Sequence, residues 1–128
     1  MSYYFAKTLE TDFETAVRRA TEALKQEGFG VITQIDLKET FKKKLGVDFR
    51  DYRILGACNP HLAHEALQIE DKVGTMLPCN VVVQDVGGGN VEIAAIDPVA
   101  SMMAIENAQL TRAAEQVREK LRKAIERL

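Results

Sequence analysis

The stretch Cys79-Asn80-Val81-Val82-Val83-Gln84-Asp85-Val86-Gly87-Gly88-Gly89-Asn90-Val91-Glu92-Ile93-Ala94-Ala95-Ile96 decides the fold. Two β-branched runs flank a glycine-rich turn, which is the composition of a β-hairpin. A hairpin joins antiparallel strands, so the chain is α+β and not a doubly wound parallel sheet. Pro78 cannot donate to a strand ladder, which sets the start of the first run near Cys79. The glycines join strand to strand and no Lys-Ser or Lys-Thr follows them, so they are a turn and not a phosphate loop.

Upstream, residues 52–58 read as a strand, and Asn59-Pro60 supplies a helix cap followed by a proline at the first helical position, opening a helix to about residue 70. A β-prone segment at 3–9 precedes a helix that the capping-box pattern Thr11-x-x-Glu14 is expected to open. Phe13, Ala16, Val17, Ala20, Ala23 and Leu24 recur there at helical spacing, and Gly28 is placed to end it. A strand at 29–35 leads into a short helix begun by Asp36-x-x-Glu39 and closed by Gly46, with Leu37, Phe41 and Leu45 expected on its inner face. Downstream, Asp97-Pro98 repeats the cap-plus-proline device before a short helix over 99–105. Asn107 caps a long final helix whose apolar stripe includes Leu110, Ala113, Ala114, Val117, Leu121 and Ile125. The expected order is β-α-β-α-β-α-β-β-α-α: one domain over 1–128, a mainly antiparallel sheet with helices on one face.

The 128 residues, 46% apolar, fill one core without disulfides or metal. Seventeen basic and nineteen acidic residues leave a net charge of −2, which argues against a nucleic-acid or membrane-surface partner. The basic cluster Lys38, Lys42, Lys43, Lys44, Arg50 and Arg53 is interleaved with acids and reads as a solvated face. There is no apolar run of membrane-spanning length and no signal-peptide pattern, so a cytoplasmic protein with reduced thiols is expected. Serine catalysis finds no nucleophile-elbow context at Ser2 or Ser101.

The polar chemistry gathers at two Cys-Asn pairs, Cys58-Asn59 and Cys79-Asn80, each where a strand meets a proline. If the strands carrying them are antiparallel neighbours, Cys58 and Cys79 are close; a parallel crossover would put them at opposite ends. Free cysteine is commonly a small apolar filler, but Cys58 precedes a helix N-terminus, whose dipole favours thiolate. Asn59 also leaves its helix open to an anionic or carbonyl ligand. Cys58, His61, His64 and Cys79 are the ligand types of a zinc site, yet a strand-to-helix break interrupts their spacing, and no metal or other cofactor is expected. The pattern predicts a polar pocket formed by Cys58, Asn59, Cys79 and Asn80 with Asp97 nearby, in a small binding or accessory domain. Thiol-based sulfur transfer or redox chemistry at Cys58 and Cys79, and a dimerisation module working through the open sheet face or the last helix, are the alternatives.

The segments Arg53-Ile54-Leu55-Gly56-Ala57-Cys58-Asn59-Pro60, Leu77-Pro78-Cys79-Asn80-Val81-Val82-Val83 and Asp97-Pro98 resemble the prokaryotic family known as domain of unknown function 302. The resemblance implies an antiparallel sheet with helices on one side, similar to the repeat of the TATA-box-binding protein, and a homodimer. It brings Cys58 and Cys79 near each other. It carries over no catalytic residue, and fold likeness to a DNA binder implies no DNA binding.

Overall fold

The computed structural model describes residues 2–128; Met1, the first residue of the expected domain, lies outside them. Five strands, β1 (Tyr4–Glu10), β2 (Gly30–Asp36), β3 (Tyr52–Cys58), β4 (Cys79–Gly87) and β5 (Asn90–Ile96), form one sheet in the order β1-β5-β4-β3-β2. Every neighbouring pair is antiparallel. Gly87, Gly88 and Gly89 all adopt positive φ at the β4–β5 turn, the conformation for which glycine is needed there.

The helices α1 (Phe13–Gln26), α2 (Leu37–Leu45), α3 (Pro60–Ile69), α4 (Pro98–Ser101) and α5 (Ala108–Glu126) complete the α+β order, with helices on one face of the sheet. A 3-10 segment over Asp71–Met76, absent from the expected order, joins α3 to β4. β1 and β2 are opposite edges, so α1 carries the chain across the whole sheet and packs beside α5.

The caps explain where the helices begin, with one correction. Asp12, and not Thr11, caps α1: its carboxylate accepts from the Thr15 N–H at 2.8 Å and from the Thr15 hydroxyl at 2.8 Å. Asp36, Asn59, Asp97 and Asn107 cap the other four. Gly28 ends α1 with φ +85°, and the Phe29 N–H returns to the Leu24 carbonyl.

Two further expectations are corrected. The inner face of α2 buries nothing completely: Leu45 is 67% exposed, and Phe41 packs edge-on against Phe49, outside the main core. The helix expected over 99–105 lasts a single turn, Pro98–Ser101.

Alternate residues along the strands divide the sheet. Leu55, Ala57, Cys79, Val81, Val83, Val91, Ile93 and Ala95 point to the helices and are buried with Leu24 and Leu121 in the main core. A second, smaller cluster of Ala66, Val73 and Leu110 lies under α3 and the start of α5.

Candidate functional site

A cavity of about 240 Å³ opens at the seam between the two clusters, walled by the ends of β3 and β4 and by α3 and α5. Its position follows from side-chain size. Ala63 and Ala66 on α3 meet Ala113 and Ala114 on α5, and four methyl groups leave unfilled space that larger residues would close. Phe29, Leu77, Pro98 and Met102 add to its walls, and the space opens to solvent beside the exposed Ile32.

The register decides which candidate residues reach it. Ala57 is paired with Cys79, and Cys58 lies one residue beyond that pair; both thiols line the cavity. The antiparallel alternative is therefore the one the chain adopts. Cys79 is 7% exposed, Cys58 is half-buried, and both are free thiols. Burial pushes the Cys79 thiol up to about 11, and the neighbouring Cys58 adds to the shift. Cys79 is thus a neutral, apolar wall and not a nucleophile near neutral pH.

Asn59 caps α3 through Oδ1, which accepts from the Leu62 N–H at 3.3 Å, and its side chain also lines the cavity. A Cβ placed on Gly28 would stand 3.0 Å from Asn59 Nδ2, so the C-cap glycine of α1 also makes room for this amide. Apart from the thiols, Asn59 is the only polar side chain of the lining among the described residues.

Asn80 and Asp97 are placed elsewhere. Asn80 follows Cys79 on the same strand and points to the opposite, helix-free face, where it is exposed. Asp97 is 5% exposed; its carboxylate accepts from the Val99 N–H at 3.0 Å and pairs with Arg118 at 3.3 Å. Those bonds tie the end of β5 to α5, which accounts for its burial in structural terms. His61 and His64 are exposed on α3, and His64 borders a separate groove between α3 and α5. Among the described residues, no three His, Cys, Asp or Glu side chains come together as a metal site would require.

The pocket expected to be polar is therefore largely apolar, and the residues that shape it are the helix alanines. Their signal was present: Ala63 with Ala66, and Ala113 with Ala114, are small residues on buried helix faces. What the sequence lacks is the knowledge that α3 and α5 face each other.

No helix among the described residues is long and apolar enough to cross a membrane. No curated protein matches the chain. A crystal structure of an uncharacterised conserved protein of the same family, from Bacillus stearothermophilus, is similar over 99% of this chain and 98% of that one, with 30% identity and a TM-score of 0.91. The match to the family model, described as domain of unknown function DUF302, runs over residues 5–128, and the chain belongs to that family.

Proposed function

We propose that this chain is a small binding domain whose α3–α5 cavity takes up a small, largely apolar molecule. The observation that carries this reading is the size of an apolar space held open between two packed clusters. A void of about 150 Å³ lined by aliphatic side chains already stays dry and binds benzene. The cavity here is about 240 Å³. At roughly 30 Å³ per water-sized group, that is on the order of eight non-hydrogen atoms. The reading includes a cytoplasmic location, where both thiols stay reduced. It requires no catalytic residue.

Cavity filling tests it. Ala63→Leu and Ala113→Leu add bulk from opposite walls. Both are expected to keep the fold by circular dichroism and to abolish the thermal upshift that toluene gives the parent. An upshift of equal size in parent and variants would place toluene elsewhere and end the proposal.

Thiol redox chemistry is the weaker alternative, since it must rest on Cys58 alone near neutral pH: Cys79 is held protonated.

A second reading concerns the opposite face of the sheet, where Ile35, Ile54, Val82, Ala94 and Ala6 are successive cross-strand partners in one apolar row. No helix covers it. We propose a second copy of the chain as its occupant. Five strands of about seven residues give a face of roughly 550 Å² per copy, from strand spacing and rise. Two such faces reach the roughly 1,000 Å² at which specific interfaces begin. Glu92, the charged side chain beside the row, accepts a hydrogen bond from Gln84 Nε2 at 3.1 Å.

A further inference from the structure

The lining of the cavity also selects against charge, and one amide donor at its wall has no protein partner. Among the described residues, no Asp, Glu, Lys, Arg or His lines the space; every fully buried side-chain nitrogen and oxygen is hydrogen-bonded, so an unpartnered donor at the half-buried Asn59 is an accessible one. An ionised ligand would find no counter-charge there, and burying it unpaired is costly. Asn59 is different from the rest of the wall. Its Oδ1 is committed to the Leu62 N–H, whereas Nδ2 donates to nothing among the described residues and lies 3.0 Å from where a Cβ on Gly28 would stand, on a residue of the cavity wall. A free amide donor beside an apolar space suits one neutral acceptor oxygen, of a carbonyl, ether or alcohol.

We infer that the cavity recognises an uncharged molecule of roughly eight to ten non-hydrogen atoms bearing one acceptor oxygen, which Asn59 Nδ2 holds, and that it rejects the corresponding carboxylate. This rests on the cavity-binding reading above. It adds a chemical class and a residue that distinguishes members of that class.

Three probes of nearly equal size separate the possibilities: ethylbenzene, acetophenone and benzoate, titrated at pH 7 against the full chain by ligand-observed NMR. Acetophenone is expected to bind at least about tenfold more tightly than benzoate. Asn59→Asp keeps a good helix cap and nearly the same volume but removes the amide donor. It is expected to weaken acetophenone about tenfold while changing ethylbenzene less than threefold. Benzoate binding as tightly as acetophenone would overturn the selection against charge. Equal losses for acetophenone and ethylbenzene in Asn59→Asp would remove Asn59 from recognition and leave the cavity reading standing. If none of the three binds the parent, or if Ala63→Leu binds them as the parent does, both readings fall.

Discussion

Ala57 and Cys79 face each other across the β3–β4 ladder, both buried on the helix side of the sheet. This pairing fixes the wall of the cavity. Cys58, the last residue of β3 before the chain turns into α3, also lines that space, and Asn80, the next residue of β4, turns to the other face of the sheet. The pairing also gives Cys79 its protonation behaviour, because a thiolate there would be desolvated and would lie near a second sulfur.

Cys79 sets a pH dependence of stability. Its thiol is raised from an ordinary value of 9.0 to about 11. Between these values the unfolded chain releases the proton and the folded chain keeps it. The contribution is therefore intact below about pH 9 and is lost as pH rises towards 11. Each pH unit is worth about 1.4 kcal/mol, so the loss across the window is about 3 kcal/mol. Urea unfolding of Cys79→Ala at pH 8, 9, 10 and 11 should show a shallower decline than the parent. Parallel declines would assign the loss to other groups.

Alkylation checks the same group differently. At pH 7 the thiolate fraction of Cys79 is on the order of one in ten thousand, given a pKa of about 11. Iodoacetamide is expected to modify one cysteine, Cys58, in the folded chain, and both after denaturation. Rapid modification of Cys79 in the folded state would contradict its burial.

Leu110 bounds the cavity from α5 and is 1% exposed. Leu110→Ala is expected to cost about 2–5 kcal/mol and to enlarge the cavity. The variant should then gain more thermal stability than the parent from a probe larger than ethylbenzene. Loss of stability with no change in size preference would place Leu110 in the core but outside the ligand's reach.

Local chemistry made most of this legible beforehand. The caps at Asp36, Asn59, Asp97 and Asn107, the stops at Gly28 and Gly46, and the triple-glycine hairpin are each written in a few adjacent residues. So is the antiparallel class that follows from the hairpin. The site was less legible because it depends on contacts between distant elements. The amphipathic pattern of α2 suggested core packing, but Leu45 has nothing above it. The period of two along β4 already implied that Cys79 and Asn80 could not share one pocket, and grouping them by sequence adjacency obscured it. Asp97 gave the right helix start, while its partner Arg118, twenty-one residues away, explains why it is buried.

Gly56 marks a close approach that no periodicity reveals. A Cβ at this position would collide with the Thr33 hydroxyl and stand 2.8 Å from Pro78 Cγ. The hydroxyl can rotate away; the proline ring cannot. Gly56→Ala is expected to destabilise by about 1–3 kcal/mol, the usual range for overpacking. Thr33→Ala in the same background should recover part of that loss, and a double-mutant cycle with no coupling would leave Pro78 as the sole obstacle.

The open face gives the last prediction. Val82 sits at the middle of the apolar row, with Ile54 on one side and Ala94 on the other. In a pair of chains stacked through this face it is central, and a lysine there would bring two ammonium groups into an apolar contact. In a single chain the same lysine replaces a half-buried valine on an interior strand and should change the unfolding free energy by about 1 kcal/mol or less, the span of strand propensities. Sedimentation at micromolar concentration should thus find the parent at twice the chain mass and Val82→Lys at the chain mass, and the melting temperature should depend on concentration in the parent but not in the variant. A monomeric parent would remove the second copy as the occupant. A dimer that survives Val82→Lys at unchanged affinity would move the interface to another face, with the exposed side of α5 the next surface to test by the same substitution strategy.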